Sequence, residues 1–178
     1  MIGRHPPGKR RSAPHLLLVL LLASAGLALM ASIATAASRC LGARATIAGS
    51  IGDDVITGTQ RADVIWASAG DDTIRGLGAN DRICGGDGDD TVYAGEDNDT
   101  VDGGDGNDRI YGGPRFDELA GAAGDDEIYG GEEGDGIDGG MGADAIYGGE
   151  GGDISSGATA PISSTEVGAK RRSRAATG

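Results

Sequence analysis

The sequence predicts an all-β fold: a right-handed parallel β-roll solenoid of nonapeptide repeats, with two repeats closing each eighteen-residue coil. Three observations predict it. Twelve aspartates follow a nine-residue ruler without a slip: Asp54, Asp63, Asp72, Asp81, Asp90, Asp99, Asp108, Asp117, Asp126, Asp135, Asp144 and Asp153. An apolar residue stands two positions after each (Ile56, Ile65, Ile74, Ile83, Val92, Val101, Ile110, Leu119, Ile128, Ile137, Ile146), and only Ser155 breaks the series. Glycine fills the segments between, too densely for a helix to survive.

Residues 1–36 read as a secretory signal peptide. Arg4, Lys9, Arg10 and Arg11 precede an uncharged apolar run from Leu16 to about Ile33, and Ala34-Thr35-Ala36 fits the small-x-small cleavage rule. An uncleaved anchor is the alternative, because the run approaches spanning length. Residues 37–48 form an arm and a degenerate first unit, with Ala45 where the Asp would stand. The two cysteines, Cys40 and Cys84, suit an oxidising compartment and can pair. A bridge would pin the arm over the first coils. Two free thiols are the alternative, and a two-cysteine metal site lacks further ligands.

The repeats occupy residues 49–154. In a unit such as 85–93, GGDGDDTVY, the tripeptide Thr91-Val92-Tyr93 makes a minimal strand with its middle side chain inward. The six Gly- and Asp-rich residues before it make a turn, since glycine supplies φ > 0. One unit cannot bury one apolar residue, so the units must stack. A longer period underlies the nine. Two residues before the Asp, odd units carry Gly52, Gly70, Gly88, Gly106, Gly124 and Gly142. Even units carry Arg61, Ala79, Asp97, Arg115 and Glu133 until Gly151. Tyr93, Tyr111, Tyr129 and Tyr147 also recur in every second unit. Odd and even units therefore lie on opposite edges of the roll. Residues 155–178 lose the pattern and end in Lys170-Arg171-Arg172-Ser173-Arg174, which reads as a disordered basic tail able to meet an anionic surface or the acidic roll.

The repeat region holds 27 acidic residues against five arginines, a balance of −22 in about one hundred residues. Such a segment repels itself, and its core of single apolar residues is thin. Hard divalent cations with oxygen ligands resolve the conflict, and calcium tolerates irregular carbonyl-rich sites. A cation bound only by the folded form adds about 1.4 kcal/mol per site at ten times its Kd.

Units 85–93, 103–111 (GGDGNDRIY) and 139–147 (GGMGADAIY) match the G-G-x-G-x-D-x-U-x pattern that is the known calcium-binding repeat of RTX proteins. The chain resembles the RTX, or haemolysin-type, calcium-binding repeat family, and with an N-terminal signal it is similar to its small secreted members. The resemblance implies several Ca2+ ions held between the turns of successive coils by the repeat aspartates and by turn carbonyls. It places Asp54, Asp72, Asp90, Asp108, Asp126 and Asp144 on one edge. Asp63, Asp81, Asp99, Asp117, Asp135 and Asp153 line the other. A residue with a Cβ resists φ > 0, so the second edge should have strained or differently shaped turns and weaker sites. Turns with Arg61 and Arg115 are the least suited to a cation.

Catalysis is not expected. Both histidines, His5 and His15, fall in the signal segment, which excludes His-based catalysis and His-ligated zinc in the mature chain. The acidic surface repels nucleic acid. The tyrosine row is the one feature suited to a partner, and an alternative role is a surface module presenting Tyr93, Tyr111, Tyr129 and Tyr147 to a cell wall, glycan or protein. Ladder stabilisation between coils is the plainer reading.

Overall fold

The structure, a computed structural model, describes residues 39–157. The expected signal peptide and residues 158–178 of the expected tail lie outside the described residues; Ser155 and Ser156, placed in that tail, are instead strand, paired with Ile137 and Asp138. Strands alternate along the chain between two parallel sheets. Strands β4 (Val55–Thr57), β6 (Thr73–Leu77), β8 (Thr91–Gly95), β10 (Arg109–Gly113), β12 (Glu127–Gly131) and β14 (Ala145–Gly149) form a six-stranded sheet in sequential order. Strands β3 (Ile47–Ala48), β5 (Val64–Ala69), β7 (Arg82–Asp87), β9 (Thr100–Asp105), β11 (Glu118–Ala123), β13 (Gly136–Met141) and β15 (Ile154–Ser156) form the other. Among the described residues there is no helix.

Parallel partners stand two repeats apart in register. Ile110 pairs with Val92 and Ile128 in one sheet, and Val101 pairs with Ile83 and Leu119 in the other. Each coil thus contributes one strand to each sheet, about six coils in all, as the alternation of odd and even units predicts. The inward residues of the two sheets meet as facing ladders. Ile74, Val92, Ile110, Ile128 and Ile146 come from the first, and Ile65, Ile83, Val101, Leu119 and Ile137 from the second; all are buried.

From β5 to β14 the strands run to five or six residues rather than three. The glycines after each tripeptide stay paired with the next coil, as in Gly86 with Gly104 and Gly113 with Gly131. At Gly104 a Cβ would overlap the Gly86 carbonyl, whereas Ser68, Leu77 and Ala122 hold the equivalent place with positive φ.

Tyr93, Tyr111, Tyr129 and Tyr147 lie on the outer face of the six-stranded sheet and stack with centroids 4.9, 4.9 and 4.7 Å apart. That spacing is the strand spacing itself. The Arg75 guanidinium lies 5.4 Å from the Tyr93 centroid, at the start of the stack. The ring faces therefore cover one another. The arm is a hairpin of β1 (Arg39–Cys40) and β2 (Ala43–Arg44), antiparallel about Leu41 (φ 49) and Gly42 (φ 80). Positive φ at both central residues is the two-residue turn that matches strand twist. Cys40 and Cys84 are joined, with Cα atoms 5.5 Å apart, and tie this hairpin to β7 across 44 residues of chain. In the loop-entropy account such a bridge contributes roughly 3–4 kcal/mol.

The ladder predicts that Ile110→Ala, which removes a fully buried side chain from mid-roll, lowers stability by about 2–5 kcal/mol in denaturant titration. A loss under about 1 kcal/mol would show that the ladder is not the core.

Candidate metal centre

Each repeat aspartate stands immediately before a strand, and its side chain folds back into the turn. From Asp72 onward one carboxylate oxygen, Oδ1, accepts a hydrogen bond from the backbone N–H of the Asp one coil earlier. On the glycine edge these bonds link Asp54, Asp72, Asp90, Asp108, Asp126 and Asp144 at 2.7–3.1 Å. On the other edge they link Asp63, Asp81, Asp99, Asp117, Asp135 and Asp153 at 2.8–3.0 Å. The twelve residues thus assemble as two ladders, one per edge.

The second oxygen decides what the ladders can do. Oδ2 of Asp72, Asp81, Asp90, Asp99, Asp108, Asp117, Asp126, Asp135 and Asp144 is buried and has no hydrogen-bond partner. An ionised oxygen buried alone is costly, and such charges are ordinarily paired or bound to metal. A small residue five positions earlier leaves room for it, alanine before Asp72 and Asp99 (Ala67, Ala94) and glycine before the other seven. A Cβ on Gly85 would overlap both Asp90 Oδ2 and the Gly103 carbonyl oxygen, and the same holds for Gly103, Gly112, Gly121 and Gly130 with their own aspartates. Carboxylate and carbonyl oxygens thus share one small cradle. Desolvation is the main reason that the carboxyls of Asp99, Asp108 and Asp117 are pushed up to about 7. It likewise pushes Asp81, Asp90 and Asp135 up to about 6. The charges of neighbouring aspartates act in the same direction, and the ladder N–H opposes them. Among the described residues no three Asp, Glu, His or Cys side chains converge as a metal cluster. The remaining ligands for a cation must be backbone carbonyls of the turns.

Three aspartates differ. Asp54 Oδ2 accepts the Ser50 N–H at 2.7 Å, and Asp63 Oδ2 accepts both the N–H and the hydroxyl of Thr59 at 2.8 Å. Those Ser50 bonds hold the Asp54 carboxyl below its ordinary value. Asp153, on the last coil, is only partly buried.

The two edges have different turns. Two residues before the Asp, Gly70, Gly88, Gly106, Gly124 and Gly142 take φ of 115–141°, while Ala79, Asp97, Arg115 and Glu133 take 68–83°. The second range is the left-handed region that a Cβ disfavours, so these turns are both strained and differently shaped, as expected. Their hydrogen bonds differ too. On the glycine edge the N–H of Gly70, Gly88, Gly106 and Gly124 reaches the next coil at Asp87, Asp105, Ala123 and Met141. On the other edge the N–H of Glu96, Glu132 and Glu150 reaches back to Leu77, Gly113 and Gly131. Pro114 occupies that donor position before Asp117 and has no N–H to give.

The model of the RTX calcium-binding nonapeptide repeat matches four stretches of the chain, residues 48–83, 84–117, 111–141 and 121–155. The chain belongs to this family. Comparison with curated proteins and with solved structures returned no match. The RTX repeats here fit calcium on their own chemistry, since bare carboxylate oxygens beside carbonyls are the hard ligands that it takes.

One set of acidic residues escapes the nine-residue ruler. On the glycine edge of the RTX roll a second, exposed ladder runs just outside the first. Asp53, Asp71, Asp89, Asn107 and Asp125 each accept, through Oδ1, the backbone N–H of the equivalent residue in the next coil at 2.8–3.0 Å. The other edge has Ala62, Asn80, Asn98, Phe116 and Gly134 at this position. The recurrence of those five residues in every second unit was the signal that could have found them.

Protons should compete with the cation. A carboxyl raised in the fold stabilises the metal-free roll fully below the unfolded value of 3.8, and this contribution is lost as pH rises through about 6 to 7. In chelator, far-UV circular dichroism should therefore show β structure returning as pH falls from about 8 towards about 4.5. With calcium present, the same fall should weaken binding. A metal-free roll that loses structure on acidification would contradict the desolvated carboxylates.

Proposed function

We propose that this protein is a secreted, non-catalytic calcium-binding module whose roll folds on extracellular calcium. The single observation that carries the reading is the row of buried, partnerless Oδ2 atoms from Asp72 to Asp144. Ionised and unbound, these oxygens oppose folding, and bound to a cation they favour it. The disulfide is consistent with an oxidising, calcium-rich exterior. Asp72, Asp90, Asp108, Asp126 and Asp144 are the stronger ligands in this reading, because their edge has unstrained glycine turns and the outer Asp ladder adds negative charge there. The tyrosine row serves the coils rather than a partner in this reading, since stacking covers the ring faces.

The test is a calcium titration of the purified chain followed by far-UV circular dichroism, with Asp90→Ala and Asp99→Ala alongside. A coil-to-β transition is expected, with its midpoint raised roughly tenfold, about 1.4 kcal/mol, by Asp90→Ala and less by Asp99→Ala. A full β spectrum in chelator at neutral pH would sink the folding switch, and equal midpoints for the two variants would sink the ranking of the edges.

A further inference from the structure

Resting on the calcium-binding reading, we propose that the first coil closes without a cation, with Ser50 and Thr59 in its place, and so caps the roll for the calcium-dependent coils that follow. Two turns carry the inference, and both are built alike. Asp54 Oδ2 takes the Ser50 N–H, and Asp63 Oδ2 takes the Thr59 N–H and hydroxyl. Ser50 Oγ then closes on Gly52, donating to its carbonyl at 3.3 Å and accepting its N–H at 3.4 Å. Thr59 Oγ1 gives its proton to Asp63 and accepts the Arg61 N–H at 3.1 Å. A hydroxyl that bonds a backbone group two residues on gives the turn a local hydrogen bond in place of one to the next coil. The Thr46 hydroxyl lies 3.3 Å from Asp63 Oδ1 and shares its proton between that oxygen and the Val64 carbonyl at 3.2 Å.

The backbone agrees. From Ser68 onward, the residue four before and the residue two before each Asp both take positive φ, through Gly149 and Gly151 in the last turn. Ser50, Gly52, Thr59 and Arg61 do not. The Gly52 N–H, which by analogy with Gly70 would bond the next coil, turns instead to Ser50. Residue type is not the whole cause. Ser68 stands at the same place before Asp72, yet it takes φ 97 and leaves Asp72 Oδ2 bare. Ser68 has a coil on each side, whereas Ser50 opens the series. The hairpin pinned through Cys40–Cys84 belongs to the same end, so a covalent staple and two self-closed turns coincide where the roll begins. On this account Asp54 and Asp63 leave the ligand set.

Hydrogen exchange of the intact chain, read by mass spectrometry with calcium and in chelator, tests the cap. Residues 46–69 should stay protected in chelator while residues 91–149 exchange freely. Equal, fast exchange in both regions would overturn the cap and leave the calcium switch standing. Full protection of both in chelator would overturn the calcium switch and the cap with it. The double variant Ser50→Gly/Thr59→Gly provides an independent arm, because glycine admits the positive φ of the regular turns. It should bind more calcium per chain by isothermal titration and lose the chelator-resistant protection of residues 46–69. Unchanged stoichiometry together with unchanged protection would refute the role of these two residues.

Discussion

The hydrogen bond from each repeat aspartate's N–H to the carboxylate one coil on organises the whole roll. It ties coil to coil at the turns, beside the backbone bonds that also cross there, and it uses one carboxylate oxygen. The other oxygen is then buried, in most units against a glycine, and left without a partner. Structure and cation demand therefore come from the same side chain. Removing the aspartate would loosen the turn, and keeping it ionised without a counter-ion strains the fold electrostatically. A protein built this way is poised to depend on the ion content of its surroundings.

The glycines follow from that bond. At Gly85, Gly103 and Gly121 a Cβ would overlap both the carboxylate oxygen and the next coil's carbonyl, and only the small Ala67 and Ala94 replace glycine at this place in front of a bare oxygen. Where the chain must reverse with φ near 130°, only glycine serves, as at Gly88 and Gly106. The opposite edge tolerates Asp97, Arg115 and Glu133 by settling into the milder left-handed region and rerouting its hydrogen bonds. Two edges with one aspartate spacing are thus chemically distinct. An exposed pair, Arg115 with Glu133 at 3.1 Å, lies on the strained edge and is too solvated to offset much of that strain.

At its amino end the roll meets a different problem. A parallel ladder that begins abruptly offers open strand edges and unsatisfied turns. Here hydroxyl groups answer for the turns, and a disulfide-anchored hairpin is tied to the neighbouring coils. The tyrosine stack supports the middle and far coils, where no staple exists.

Much of this was legible in the chain, because a solenoid repeats one local solution and periodicity is visible without coordinates. The nine-residue ruler gave the core residues and the aspartates, and the alternation of odd and even units gave two sheets and two edges. The pairing of Cys40 with Cys84 and the tyrosine row also followed from position. Three things did not. Strand length was underestimated, since Gly-Gly reads as turn although it pairs like strand with the equivalent residues of the next coil. The outer ladder of Asp53, Asp71, Asp89, Asn107 and Asp125 was hidden beside the stronger repeat. The exceptional state of Asp54 could not be read at all, because Ser50 and Ser68 occupy equivalent places and differ only in how many coils flank them. Sequence determines what each repeat can form. Only stacking decides which oxygen is left bare, because a carboxylate's partners belong to the coils above and below it rather than to its own repeat.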